Sequence, residues 1–455
     1  MRFTKCCNTG GAEESMEFVF VGIIFVYFTM ALYFAIKNNV NMIKFFLCVI
    51  FMQNIVCIIF APYVSSGLIT LFSLIKELML YLAFFISVTR KRRIRIDKGI
   101  AISVGIFFAL LIKNLLMSSA GVYSGIISFR FLIVPMICVA VGYSIKIGSK
   151  SVVGLCKFIV KYASLLAVSG IVELILLRDR FWESINYSYY AVNIKGNLPW
   201  TLRNGVTENF YTFDFGLIPV RRMVTITADP LASAFLMFLG AAIIYIGFVS
   251  MRKKGGMLNQ YFVYFVLLIV CSLLVFSKAV FVFIPIVLFV ITYFKGRIPK
   301  ALLKPLATIG GFGGITLIIW YAKTYGGTAS AITHVLGLVN GFSISNILGN
   351  GLGTAGVSAA MIAGEDVSSA ESYIGTLSAQ MGVIATISFM AFCVIIISRL
   401  AKIWKQHHSK FTLLAISLLC GLIMCMLFSE SSVSISGTGI YFMLIGMALK
   451  QDVYE

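Results

Sequence analysis

Runs of about 20 apolar residues, the length a helix needs to cross a bilayer, recur along this entire chain. A chain patterned this way has too little polar surface to cover a water-soluble core. In lipid its backbone polar groups must be satisfied within each span, which selects helices. The runs lie at 17–36, 43–61, 67–88, 99–117, 127–145, 152–177, 228–250, 259–276, 279–294, 305–322, 372–397, 411–428 and 437–449. They predict an all-α, polytopic integral membrane protein with about 13 transmembrane helices. A count of 12 to 14 fits the short last run and the pair that meets at Ser277. Residues 1–455 then form a single multi-span membrane domain. Composition agrees, with 60% hydrophobic and 12% charged residues, against roughly 45–50% apolar and about 25% charged in soluble domains.

The 37 Lys and Arg outnumber the 17 Asp and Glu, and their positions give the excess its meaning. Basic clusters at Arg90–Lys98, Arg252–Lys254, Lys295–Lys304 and Arg399–Lys410 all fall on one side of the predicted bundle. The positive-inside rule makes that side cytoplasmic, so the charge reports orientation, and no nucleic-acid partner is expected. Eight of the ten cysteines lie within apolar runs and read as packing residues. No metal site, cofactor or phosphate-binding P-loop is legible, which argues against direct ATP coupling.

Two segments exceed the short connections found elsewhere, at about 178–227 and 323–371, both on the outer side. Long loops on a rigid scaffold are where recognition and chemistry concentrate. The first is rich in aromatic residues, including Trp182, Tyr187, Tyr189, Tyr190, Trp200, Phe210 and Tyr211, and in basic ones, including Arg203, Arg221 and Arg222. Two readings stand: rings and guanidinium groups that hold sugars and phosphates, or an interfacial belt. Asp229 followed by Pro230 reads as a helix cap with proline at the first helical position, its carboxylate close enough in sequence to orient Arg222. Lys278, beside Ser277 at a tight outer turn, is either a snorkelling anchor or an anion contact.

The second loop carries Gly349, Gly351, Gly353 and Gly356. This pattern suits close backbone approach to a phosphate or plain flexibility. Ser368 and Glu371 match a capping box, which competes with Glu371 acting as a general base. His334 is the single outer histidine and reads first as a surface residue. Charges inside spans are costly and point to function. Lys113, Arg130 and Glu173 fall near outer span ends, where they would line an outward-open cavity. Lys76 and Glu77 fall near mid-span. Being adjacent on a helix they cannot face one partner, so at least one needs a counter-ion from another helix.

The stretch RRMVTITADPLASAFLMFLG, from Arg221 to Gly240, resembles the segment in bacterial O-antigen polymerases and ligases where arginine precedes an acidic or amide residue, a proline and a span. GNGLGTAG followed by AESYIGTLSAQMGV is similar to their large outer loop, and FSKAVFVFIP places Lys278 where relatives show a basic residue. The resemblance covers some 40–60 residues. It implies a multi-pass enzyme of the bacterial inner membrane, working on its periplasmic face. Such an enzyme moves glycan from an undecaprenyl-pyrophosphate carrier to a sugar hydroxyl, with a chain-length regulator as a further partner. It further implies catalytic roles for Arg222, Glu371 and Asp229, and substrate contacts from Arg221, Lys278, Arg130, Arg203, Gly351 and Gly353. Ligases of this kind carry a histidine–asparagine pair where this sequence has Glu371 and Ser372, which favours polymerase over ligase. The rival from another class is a lipid-linked oligosaccharide flippase, because many spans with buried charges equally suit a translocation path.

Overall fold

A computed structural model of the protein describes residues 10–89, 97–197, 199–212, 219–248, 251, 259–296, 330–356 and 371–450. Every predicted apolar run within these residues is helical. The helices are α1 (Gly10–Lys37), α2 (Val40–Phe60), α3 (Ser66–Thr89), α4 (Lys98–Leu116), α5 (Val122–Ser144) and α6 (Ser149–Val172). A π-turn, Glu173–Leu177, follows α6 and leads into the short α7 (Arg178–Ser184) and α8 (Tyr187–Asn193). Then come α9 (Pro230–Ile246), α10 (Gln260–Leu274), α11 (Lys278–Phe294), α12 (Ser330–Ser343), α13 (Tyr373–His407), α14 (Lys410–Phe428) and α15 (Gly439–Ala448). Eight of the described helical segments are long and apolar enough to cross a membrane, and the shorter α9, α10, α11 and α15 are also apolar. The chain is therefore a multi-pass, predominantly α-helical membrane protein. The expected span at 305–322 lies outside the described residues.

Among the described residues strand is confined to two antiparallel pairs, β1 (Leu202–Arg203) with β2 (Val206–Thr207) and β3 (Tyr211–Thr212) with β4 (Val220–Arg221). Both belong to the first long loop. Helices that hydrogen-bond internally gain little from hydrophobicity in lipid and pack through small residues. Accordingly Gly142 of α5 lies against the Met443 carbonyl of α15, and Gly446 of α15 against the Val139 carbonyl of α5. Any side chain at either position would push the two helices apart.

The two ends of the bundle differ. At the basic end, lysines complete helix C-termini, whose last carbonyls lack intrahelical donors. Lys295 donates to the Tyr245 and Ile246 carbonyls (3.1 Å each), Lys410 to Gly247 (2.8 Å) and Lys450 to Ile145 (3.3 Å). The opposite, cap end carries the described residues between 173 and 229 and the glycine-rich stretch 344–356.

Candidate functional site at the cap end

One carboxylate gathers several parts of the cap. Glu173, buried at the π-turn, accepts from Trp182 Nε1 (2.7 Å) and Arg221 Nη2 (2.5 Å) on Oε1, and from the Val224 N–H (3.3 Å) on Oε2. A π-turn widens the helix and commonly marks a functional or adapted position. Arg221 is further engaged by Asp179, whose Oδ1 lies 2.8 Å from Nε in an ion pair without hydrogen-bond alignment. Its Nη1 donates to the Phe210 and Arg222 carbonyls, and its guanidinium stacks on the Phe210 and Tyr211 rings. Tyr211 donates its hydroxyl to Asp179 Oδ2, which Asn204 also approaches. Burial, then that carboxylate, holds the Tyr211 hydroxyl above its usual range, so it remains a donor. Arg203 lies exposed over the outer face of Tyr211.

The loop aromatics are the core of this cap. Trp182, Tyr187 and Phe210 are buried with ring centroids 4.9–5.6 Å apart, and Tyr190 packs on Tyr187. Of the two readings of the loop aromatics, sugar stacking does not suit Trp182, Tyr187 and Phe210, because they are buried against one another. Tyr189 remains exposed.

Beneath the cap lies a second polar cluster. From Met223 to Asp229 the chain threads down beside the helices: the Met223 N–H donates to Leu274 of α10, and the Thr227 carbonyl accepts from Asn54 of α2. Thr225, Thr227 and Ser233 join their hydroxyls in a buried triad. Ala228 then adopts φ +53°, a left-handed conformation that costs a non-glycine residue about 1–2 kcal/mol; such strain persists where surroundings enforce it. Asp229 follows as the cap of α9, its Oδ1 accepting from the Ala232 N–H at 3.0 Å, with Pro230 at the first helical position. The cap reading of Asp229–Pro230 is correct.

Lys76 of α3 approaches from the other side. Its Nζ donates to Gln53 Oε1 (2.7 Å) and to the Ser73 carbonyl (3.3 Å), and among the described residues no carboxylate lies within ion-pair distance of it. Its neighbour Glu77 instead forms a bidentate pair with Arg130 of α5, at 2.6 and 2.7 Å, the cross-helix counter-ion that the sequence demanded. Lys76 and Lys195, just beyond α8, both act electrostatically on Asp229, while Glu77 and Lys195 act on Lys76. Lys76 and Asp229 lie deep among the helices, yet part of each residue stays accessible. Lys195 itself is exposed.

The glycine-rich stretch forms a loop wedged into the bundle. Helix α13 breaks at Gly382 (φ +88°), and the Val383 and Ile384 N–H groups donate to Asn346 and Ile347 of the loop. Lys113 and Asn114 of α4 donate to the Leu348 carbonyl at 3.2 and 2.8 Å. Gly351 and Gly353 have positive φ and sit against α4 and α5, where a Cβ would meet the Met117 carbonyl and Ser124. Both N–H groups are already donated, Gly351 to the Gln380 carbonyl (3.2 Å) and Gly353 to Gln380 Oε1 (3.1 Å). The helix that follows is capped by Ser372, whose Oγ accepts from Gly375 N–H at 3.1 Å. This displaces the capping box expected from Ser368, which lies outside the described residues. Glu371 therefore precedes the cap; its backbone carbonyl accepts from the Glu430 N–H at 2.7 Å.

The remaining expected residues are dispersed. Arg222 hydrogen-bonds through its backbone to Phe210 and buries its Nε. Lys278 begins α11 after Phe276 (φ +49°) and Ser277. Arg221, Arg130, Gly351 and Gly353 have their polar groups committed within the chain. Lys76, Lys195, Gln53 and Asn54 were not selected as a site from sequence, although a lysine and a Gln–Asn pair inside apolar runs were the available signals. Neither the known protein-family models nor the curated proteins contain a match to this chain.

Proposed function

We propose that the chain is a glycan polymerase of the bacterial inner membrane, with its basic end in the cytoplasm and its cap end in the periplasm. On this reading it extends undecaprenyl-pyrophosphate-linked oligosaccharide at the cap end, building O-antigen or a related surface polysaccharide. The observation that carries the reading is Lys76: a deep, partly accessible ammonium whose hydrogen bonds among the described residues go to neutral acceptors, with Asp229 and Lys195 as further charges in electrostatic reach of one another. A cation desolvated this far is stabilised by an anion, and a pyrophosphate supplies one. The sequence resemblance around Arg221–Gly240 supplies the substrate class.

In the reaction, an acceptor sugar hydroxyl attacks the anomeric carbon of the donor. The new glycosidic C–O bond forms as the bond from that carbon to the pyrophosphate oxygen breaks. Undecaprenyl pyrophosphate departs with the bonding pair. Lys76, Lys195 and Arg222 stabilise the charge that develops on it, the principal catalytic contribution expected of fixed cations. Asp229 takes the hydroxyl proton as general base; Glu371 is the alternative base on the opposite side of the cap end. Arg221, tied to Glu173 and Asp179, acts as a positioning residue that fixes the strand carrying Arg222.

A lipid-linked oligosaccharide flippase is the second reading. The interruption of α13 at Gly382 and the start of α9 within the bundle favour it, since discontinuous helices build translocation sites in transporters. A surface-polysaccharide gel of a deletion strain separates the two. Loss of a polymerase leaves single repeat units on the lipid anchor, whereas loss of a flippase removes surface glycan altogether. Complementation with Lys76→Met and Arg222→Ala should leave single units, and a full-length ladder from both variants would reject the site.

A further inference from the structure

A cleft of about 460 Å³ opens between α3, α4, α5 and α13 in the basic half of the bundle, far from the cap. Its walls are apolar, with Val104, Phe108, Ile137 and Ile396 among them, and only two side chains carry polar groups, Tyr143 and Arg399. Both stand near the basic ends of their helices, α5 and α13. Among the described residues neither has a hydrogen-bond or ion-pair partner, and Arg399 is half-buried. On the α4 side the lining is thin: Ala101 and Gly105 are exposed, and a Cβ at Gly105 would meet nothing within 4 Å. The cleft therefore reaches the surface of the bundle beside these two residues.

We infer that this cleft binds an anionic phospholipid of the inner leaflet. One acyl chain lies between α3, α4 and α5, and the phosphate rests on the Arg399 guanidinium and the Tyr143 hydroxyl. The apolar walls exclude a polar ligand, since nothing in them would pair with its groups. The position of one cation and one hydroxyl at one end selects a molecule with an acyl body and an anionic head. Guanidinium binds phosphate oxygens bidentately, and basic pockets between transmembrane helices on the cytoplasmic side recognise anionic head groups. Charge in the sequence points the same way: the stretch joining α3 to α4, which flank the cleft, reads RKRRIRI from Arg90 to Ile96, five cations without a carboxylate.

The test is native mass spectrometry of the purified full-length protein, titrated separately with phosphatidylglycerol and phosphatidylcholine. Wild type should retain phosphatidylglycerol about fivefold better, the worth of one cation at the membrane surface. Arg399→Gln should erase that preference and Arg399→Lys restore part of it. Gly105→Leu, which projects a side chain into the cleft, should reduce retention of both lipids. Equal retention of the two lipids by wild type would overturn the assignment, as would a preference that survives Arg399→Gln. Should Gly105→Leu fold poorly, the Arg399 pair still decides, because that residue is half-buried at the rim of the cleft and Lys and Gln are of similar size.

Discussion

The two polar clusters at the cap end use similar residues to opposite ends. Around Glu173 every charge is answered: the carboxylate takes three donors, and Arg221 is shared between Glu173 and Asp179. Around Lys76, a few helices away, the ammonium has neutral acceptors and no carboxylate partner within ion-pair distance. Completed networks rigidify a structure, while an uncompensated buried charge costs stability and is kept for another purpose. The difference separates a joint from a binding site more reliably than counting arginines does.

Substitution should divide the clusters by what is lost. Glu173→Ala strands Arg221, the Trp182 indole N–H and the Val224 amide together, and should cost about 3–5 kcal/mol, read as a lower melting temperature in detergent and poor membrane yield. Lys76→Met should do the reverse, leaving melting unchanged or raised while polymer disappears from the surface-glycan gel. Parallel losses of stability in both variants would erase the contrast.

Asp229→Asn sharpens the comparison further. Asparagine caps helices as well as aspartate, so α9 should keep its stability, whereas transfer should slow by about 10²-fold or more if the carboxylate is the base. Unchanged transfer rates would move that role to Glu371. Arg130→Leu and Glu77→Leu, singly and together, should show a coupling of about 1–3 kcal/mol in a double-mutant cycle, because the pair is bidentate. Additive effects would show that Glu77 serves Lys76 instead. Smallest of all, Tyr211→Phe removes one hydrogen bond to Asp179 and should lower stability by about 1 kcal/mol with chain length on the gel unaltered.

Much of the fold was legible because the bilayer imposes one length and one secondary structure on each span. The Asp229–Pro230 cap was legible for a similar reason, since its signal spans adjacent residues. Signals that depend on distant partners were not. Arg221 has the same sequence signature whether it waits for a phosphate or pairs with Glu173, 48 positions earlier. The aromatic loop has the same composition whether its rings face sugars or each other. At 368–375 two overlapping serine patterns competed, and Ser372 caps the helix because its hydroxyl reaches the Gly375 amide. Lys76 and Glu77 marked themselves as mid-span charges, but only the packing of α3 between α2 and α5 shows which of them found an acidic or basic mate.

The arrangement at Glu173 also sets an order on biogenesis. The carboxylate leaves the ribosome with the end of α6, but its cationic partner at Arg221 emerges 48 residues later. Until then the acid has only the Trp182 indole N–H, nine residues on, to answer it. The cap consequently closes only after the chain through Val224 has been delivered, which makes it a late-assembled lid whose completion certifies that the preceding helices are already seated.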